Sequence, residues 1–229
     1  MTSTKNAPAG PAKRGAFILF EGVDRCGKTT QANLLVESLK QTGHDACFMR
    51  FPDRTTPIGH MINGFLQNTT DIDDRCVHLL FSANRWEAES KIRELLKAGT
   101  TVVCDRYAYS GVAFSASKPA GLSMRWCKDP DRGLPAPDKI LFLDISVEDA
   151  MKRGQFGEER YEKEEFQRTV RATFLALMEE DKASGVAWQL IDANREIGSI
   201  QDEIQKIGTS VVGEVEGKEI GSLWSRKED

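Results

Sequence analysis

The chain has no apolar run long enough to span a bilayer, and its first residues lack the apolar core of a secretory signal, so a protein that stays in solution is expected. Its five cysteines (Cys26, Cys47, Cys76, Cys104 and Cys127) show no C-x-x-C spacing. Neither a zinc site nor a disulfide framework is expected, and a reducing compartment fits. Only three histidines are present, His44, His60 and His78, all outside the motifs below, and they read as structural or solvated. There is no excess of positive charge: 31 Lys and Arg against 35 Asp and Glu leave a net charge of -4, which disfavours non-specific nucleic-acid binding. Any affinity for phosphate must come from local clusters. A guanine-reading N-K-x-D segment is missing, which counts against a GTP-dependent switch, and no internal repeat is found.

What is present is the composition of a globular domain, 40% hydrophobic and 29% charged in 229 residues. One domain over residues 15–229 is expected, after a small, polar, Pro-containing stretch at 1–14 that reads as a disordered leader. Short apolar segments alternate with helical ones throughout, the pattern of an α/β fold in three layers: a five-stranded parallel sheet flanked by helices. The predicted strands are Ala16 to Glu21, Ala46 to Phe51, Thr101 to Cys104, Lys139 to Ile145 and Ala187 to Ile191. The predicted helices are Lys28 to Thr42, Ile58 to Leu66, one long helix from Asp73 to Ala98, Val147 to Arg153, Glu164 to Ala183 and Ser199 to Val212. The long helix has more apolar residues than one face needs and can serve both a core and a subunit interface.

The most informative stretch is Gly22-Val23-Asp24-Arg25-Cys26-Gly27-Lys28-Thr29, placed between an apolar strand and a helix. Its G-x-x-x-x-G-K-T spacing bends the chain so that backbone N-H groups and a helix N-terminus face phosphate oxygens. Lys28 reaches the outer phosphates and Thr29 helps hold Mg²⁺. The nucleotide-binding set expected here is Gly22, Arg25, Cys26, Gly27, Lys28, Thr29 and Thr30. Arg25 can follow charge onto a phosphoryl group in transfer, while Asp24 accepts from a sugar hydroxyl or from Arg25. Cys26, beside an arginine and near a helix N-terminus, is either ordinary packing or a reactive thiol.

In an open parallel sheet ligands bind beyond the carboxyl ends of the strands. There the sequence places Asp105-Arg106, a carboxylate for metal-bound water and a guanidinium for phosphates, and Phe51-Pro52-x-Arg54, a second guanidinium after a candidate cis proline. Phe81, Asn84 and Arg85, spaced i, i+3 and i+4, can present an aromatic face and a fork of donors to a base. The polar, glycine-punctuated stretch from Gly154 to Glu162 reads as a mobile lid (about residues 153–163), with Arg153 and Arg160 able to close over the donor phosphates.

From about Gly15 through Trp224 the chain resembles the eukaryotic type of thymidylate kinase. The resemblance rests on Phe20 to Arg25 with Gly27-Lys28-Thr29, Arg50-Phe51-Pro52, and Leu79 to Glu87. Asp105-Arg106-Tyr107, Ser110 to Phe114, Gly133-Leu134-Pro135 and Glu159-Arg160-Tyr161-Glu162 complete it. It implies a P-loop kinase fold, transfer of the γ-phosphoryl group of ATP to dTMP with Mg²⁺, and a homodimer, here through the 73–98 region. It also implies that Phe81 stacks on thymine and Arg85 bonds its carbonyl edge. Arg54 and Arg106 would hold the acceptor phosphate and Asp24 the 3'-hydroxyl, with Phe51, Gly111 and Phe114 around the nucleoside. Tyr161 and Gln167 would close from the lid side, and Asn194 and Arg195 would lie at adenine. Arg25, Lys28, Asp105 and Arg106 form the expected catalytic set, with Thr29 and Asp105 (through water) at the metal. Other small P-loop kinases, and an inactive nucleotide-binding scaffold, are the alternatives. A cytoplasmic location is expected, with a nuclear pool as a possible addition.

The chemistry asks for no general base, because a nucleoside monophosphate is already largely dianionic near neutral pH. Positioning and positive charge suffice.

Overall fold

The computed structural model describes residues 14–153, 159–182 and 186–225. The leader, apart from Arg14, and the Gly154 to Glu158 part of the lid lie outside the described residues. Five parallel strands form one sheet: β1 Phe17–Glu21, β2 Ala46–Arg50, β3 Thr101–Asp105, β4 Lys139–Asp144 and β5 Trp188–Asp192, in the order β2-β3-β1-β4-β5. All five strands stand within a residue or so of their predicted positions. The central strands β1, β3 and β4 were legible because a strand covered on both faces reads as a nearly unbroken apolar run.

The helices are α1 Lys28–Gln41, α2 Pro57–Leu66, α3 Asp74–Trp86, α4 Glu89–Lys97, α5 Ala108–Ala116, α6 Met124–Lys128, α7 Val147–Met151, α8 Glu164–Lys182 and α9 Ile197–Glu214. Alternation along β1 sorts the core into two layers. Ile18 and Phe20 face α1 and α9, meeting Leu35, Ile200 and Ile204. Phe17 and Leu19 face the other side, with Ile92 and Leu96 of α4, Val112 of α5 and Phe174 of α8.

Two expectations are corrected. The predicted helix from Asp73 to Ala98 is two helices, α3 and α4, parted at Glu87 and Ala88. Each half buries its own stripe, Val77 and His78 in α3 and Ile92 with Leu96 in α4, and the chain re-enters a helix at Glu89 after the C-cap at Glu87. Helix α5 was not expected. Its Ala, Ser, Val and Gly residues are buried nearly all round, so it lacks the polar face by which an amphipathic helix is recognised.

Candidate active site

The carboxyl ends of β1, β2 and β3 open into a cavity of about 890 Å³. Its wall carries Arg25, Lys28, Arg50, Arg54, Arg85, Arg106, Arg153 and Arg195 against Asp24, Asp105, Glu159, Glu162 and Glu196. A chain of net negative charge thus holds a locally cationic pocket, suited to an anionic ligand.

The loop after β1 turns at Arg25 (φ 64°) and Gly27 (φ 98°) before entering α1, whose N-terminus has no side-chain cap. Its first N-H groups are left for a ligand, as at a phosphate site. Lys28 is buried, and its Nζ donates to the Val23 carbonyl (2.6 Å) and reaches Cys26 Sγ (3.4 Å). Thr29 donates its hydroxyl to Asp105 Oδ2, while Asp105 Oδ1 is buried without a hydrogen-bond partner among the described residues. A hydroxyl and an unsatisfied carboxylate oxygen at the end of a phosphate loop form the oxygen set that a hard divalent cation takes. The residues therefore fit Mg²⁺. Cys26 is buried in the core between β1 and α1, which favours the packing reading over the reactive thiol.

Asp24 pairs with Arg106, not with Arg25 as one expectation had it. The geometry explains why: the Arg106 backbone (φ 67°) turns the guanidinium back over the phosphate loop, where Nη1 also donates to the Gly22 carbonyl and to Ser110 Oγ. Burial alone would lower the Arg106 pKa, but the carboxylates of Asp24, Asp105 and Glu21 outweigh it and raise the value. Glu21 is itself buried, and desolvation lifts its pKa despite bonds from the Ser110 hydroxyl and the Ser110 and Tyr107 N-H groups. Gln167 donates to Asp24 Oδ2 and accepts from the Asp24 N-H, so it reaches the site through Asp24 rather than lining the cavity.

The lid side was only partly legible. Arg25 is held by Glu162, and Arg54 by Glu159, through Nη1 at 2.7 Å and Nη2 at 3.1 Å. Tyr161 lines the cavity and stacks on Phe166 with ring centroids 5.2 Å apart. Arg160, expected over the donor phosphates, points away instead. It donates to the carbonyls of Phe65 and Thr70 and pairs with Asp71, tying the lid base to α2. Arg153 does reach the loop, donating to the carbonyls of Cys26 and Ala193.

At the other end of the cavity stand Phe81, Arg85, Gly111 and Phe114, with Phe51 beside them after a cis Phe51-Pro52 bond. Gly111 is required there because a Cβ would stand 2.7 Å from Arg85 Nη2. Arg85 is fixed by Asp131, which accepts from Nε (3.0 Å) and Nη2 (2.6 Å) in a fully buried pair. Asn84 does not join this face. Its amide bonds Asp53 and Thr56, shaping the turn that carries Arg54. Asn194 is exposed and off the cavity wall, whereas Arg195 and Thr30 are on it. Asp131 and Ser115 went unrecognised in the sequence, and Ser110, Glu159 and Glu162 stood in the quoted motifs without a role, since single polar residues in loops and helices carry no spacing signal.

The family model described as thymidylate kinase matches residues 20–204. The chain belongs to the thymidylate kinase family. It is 46% identical over 212 residues to the thymidylate kinase of Danio rerio, covering 93% of this chain and 98% of that one. To the Homo sapiens thymidylate kinase it is also 46% identical, covering 93% and 99%. To that of Dictyostelium discoideum it is 50% identical, covering 92% of each. A solved thymidylate kinase of Candida albicans superposes with a TM-score of 0.78 at 37% identity, covering 86% of this chain and 92% of that one. Thymidylate kinases are ATP-dependent phosphotransferases that convert dTMP to dTDP, and the P-loop and parallel sheet here are those of that kinase fold.

Proposed function

We propose that the chain carries out this transfer with the acceptor nucleotide between Phe81, Arg85 and Phe114 and the donor triphosphate on the loop from Gly22 to Thr30. The observation that carries the reading is one cavity joining an uncapped phosphate loop to an aromatic pocket with a fixed guanidinium.

In this mechanism the loop N-H groups and Lys28 hold the donor β- and γ-phosphates, and Arg153 steadies the loop from behind. Arg54 and Arg106 hold the acceptor phosphate, whose oxygen attacks without a general base. Arg25 stabilises negative charge as the phosphoryl group moves, because a guanidinium on a preorganised loop gains strength as charge shifts toward it. Thr29 and Asp105, the latter through water, would hold Mg²⁺, which when bound neutralises charge on the phosphate oxygens. Glu162 aims Arg25, and Asp24, fixed by Arg106 and Gln167, presents a carboxylate to the 3'-hydroxyl. Tyr161 closes the nucleoside pocket, and Arg195 lies on the adenine side.

Dimerisation follows the exposed apolar face of α2 and α3, where Met61, Leu79 and Trp86 are 53%, 47% and 41% exposed. Leu79 and Trp86 are seven residues apart and share one side of α3. Residues 15–229 form a single kinase domain. No helix among the described residues is long and apolar enough to cross a membrane.

The test is ADP release with ATP and Mg²⁺ on dTMP, dUMP, dCMP, dGMP and AMP in parallel. Preference for dTMP is expected. Preference for another monophosphate would keep the P-loop chemistry and overturn the base pocket.

A further inference from the structure

Behind the base pocket lies a buried polar cluster that the transfer reaction does not use. His78, in α3, is fully buried. Its Nε2 is 3.0 Å from the Cys127 carbonyl and its Nδ1 is 2.8 Å from Ser115 Oγ. The ring packs against Trp126, with centroids 5.2 Å apart. A carbonyl only accepts, so Nε2 carries the proton and Nδ1 is the bare nitrogen. Burial and the nearby Arg85 push the His78 pKa down to about 4, so the imidazole is neutral at ordinary pH. The Ser115 hydroxyl must therefore spend its one proton on Nδ1. What Ser115 Oγ has left is lone pairs, and Ser115 lines the cavity one helical turn after Gly111.

The neighbouring Arg85 is fixed in the opposite sense. Asp131 takes one N-H from Nε and one from Nη2, and Asp131 is itself held by the Ser82 hydroxyl at 2.8 Å. The remaining guanidinium N-H groups are donors with a set direction. The pocket wall thus carries a donor from Arg85, which packs on Gly111, and an acceptor from Ser115 one helical turn further along α5. Thymine offers the complement, a carbonyl O4 beside an N3-H, whereas cytosine offers an amino group beside a bare N3 and mismatches at both points.

We propose that Ser115 Oγ accepts the N3-H of the substrate base and that His78 is the positioning residue that keeps Ser115 an acceptor. This rests on the reading of the pocket as a dTMP site and deepens it: pyrimidine discrimination is a two-point readout whose second point is set by a histidine tautomer. A site whose polar groups are pinned by buried partners rejects the wrong base more strongly than one with a freely rotating hydroxyl, because the hydroxyl cannot turn to donate.

Two measurements on the full chain test it. The first is steady-state kinetics of wild type, Ser115→Ala and Ser115→Thr with dTMP, dCMP and N3-methyl-dTMP. Ser115→Ala should lose about tenfold in kcat/KM for dTMP, mainly through KM, as expected for one hydrogen bond to the base. It should narrow the dTMP-to-dCMP preference and shrink the penalty for N3 methylation, while Ser115→Thr keeps the preference. An unchanged dTMP-to-dCMP ratio in Ser115→Ala, with dTMP still preferred by wild type, would overturn the inference alone. Absence of dTMP turnover in wild type would overturn the substrate reading and this inference with it. The second is ¹⁵N NMR of the three labelled histidines, which needs no activity. His78 should show a protonated Nε2 and an unprotonated Nδ1; a protonated Nδ1 would leave Ser115 free to donate and would overturn the positioning role.

Discussion

Arg85 and Arg54 stand in the same cavity wall, and each grips a carboxylate through two nitrogens, yet their pairs differ in setting. The side chains of Arg85 and Asp131 are 2% and 0% exposed, those of Arg54 and Glu159 35% and 28%. Separating the first pair would strand a charge in an apolar interior, so Arg85 keeps its partner whether or not a nucleotide is present. The second pair is wetted and its carboxylate comes from the lid, so a phosphate can replace it at little cost. Arg25 with Glu162 lies between, at 28% and 8%. The same pairing holds a guanidinium rigidly in one place and leaves it displaceable in the other.

Asp131→Ala should break this contrast most visibly. Leaving Arg85 buried and unpaired is expected to cost about 3–5 kcal/mol of stability, measured by urea unfolding; a loss below about 1 kcal/mol would mean that Arg85 is solvated after all. Arg25→Ala, at the intermediate pair, should lower turnover by roughly 10³-fold or more with little change in dTMP affinity, since its contribution arises mainly in the transition state. Near-normal turnover would make Arg25 a structural residue.

Acid should unsettle the buried side first. Burial, with Arg85 nearby, pushes the His78 pKa down to about 4 from the ordinary 6.5. The unfolded chain therefore takes up the proton first as pH falls, and stability is lost between about pH 6.5 and 4, by up to roughly 3 kcal/mol. Urea midpoints measured across that range should flatten in His78→Gln. Equal slopes in both proteins would assign the acid sensitivity elsewhere. The smallest effect belongs to Glu159→Gln, expected to cost under about 1 kcal/mol and to lower KM for dTMP about twofold as Arg54 is released. A loss as large as that of Asp131→Ala would erase the distinction between the two pairs.

Much of this was legible in the chain itself, for identifiable reasons. The strands and phosphate loop are contiguous patterns, and their contacts are dictated by local geometry, so Lys28, Thr29, Asp105 and Arg106 converge as expected. The partners of the arginines are not local. Arg85 and Asp131 are 46 residues apart and Arg54 and Glu159 are 105 apart, and nothing in D-P-D-R-G marks Asp131 as other than a turn acid. The break between α3 and α4 at Glu87 and Ala88 carries neither Gly nor Pro, so no breaker residue marks it in the sequence. Asn84 shared the helical spacing of Phe81 and Arg85 yet serves the Asp53 turn, a reminder that spacing places a residue on a face without saying what the face meets.

The left-handed backbone at Arg25 has a consequence for anyone breeding a hardier version of this enzyme. A non-glycine residue at φ 64° carries strain of about 1 kcal/mol or more that glycine would not. Selection for heat resistance alone would thus favour glycine at a position where the proposed mechanism needs a guanidinium. Screens that score only survival would enrich sturdy, silent kinases, so thermal selection of this fold has to be coupled to turnover.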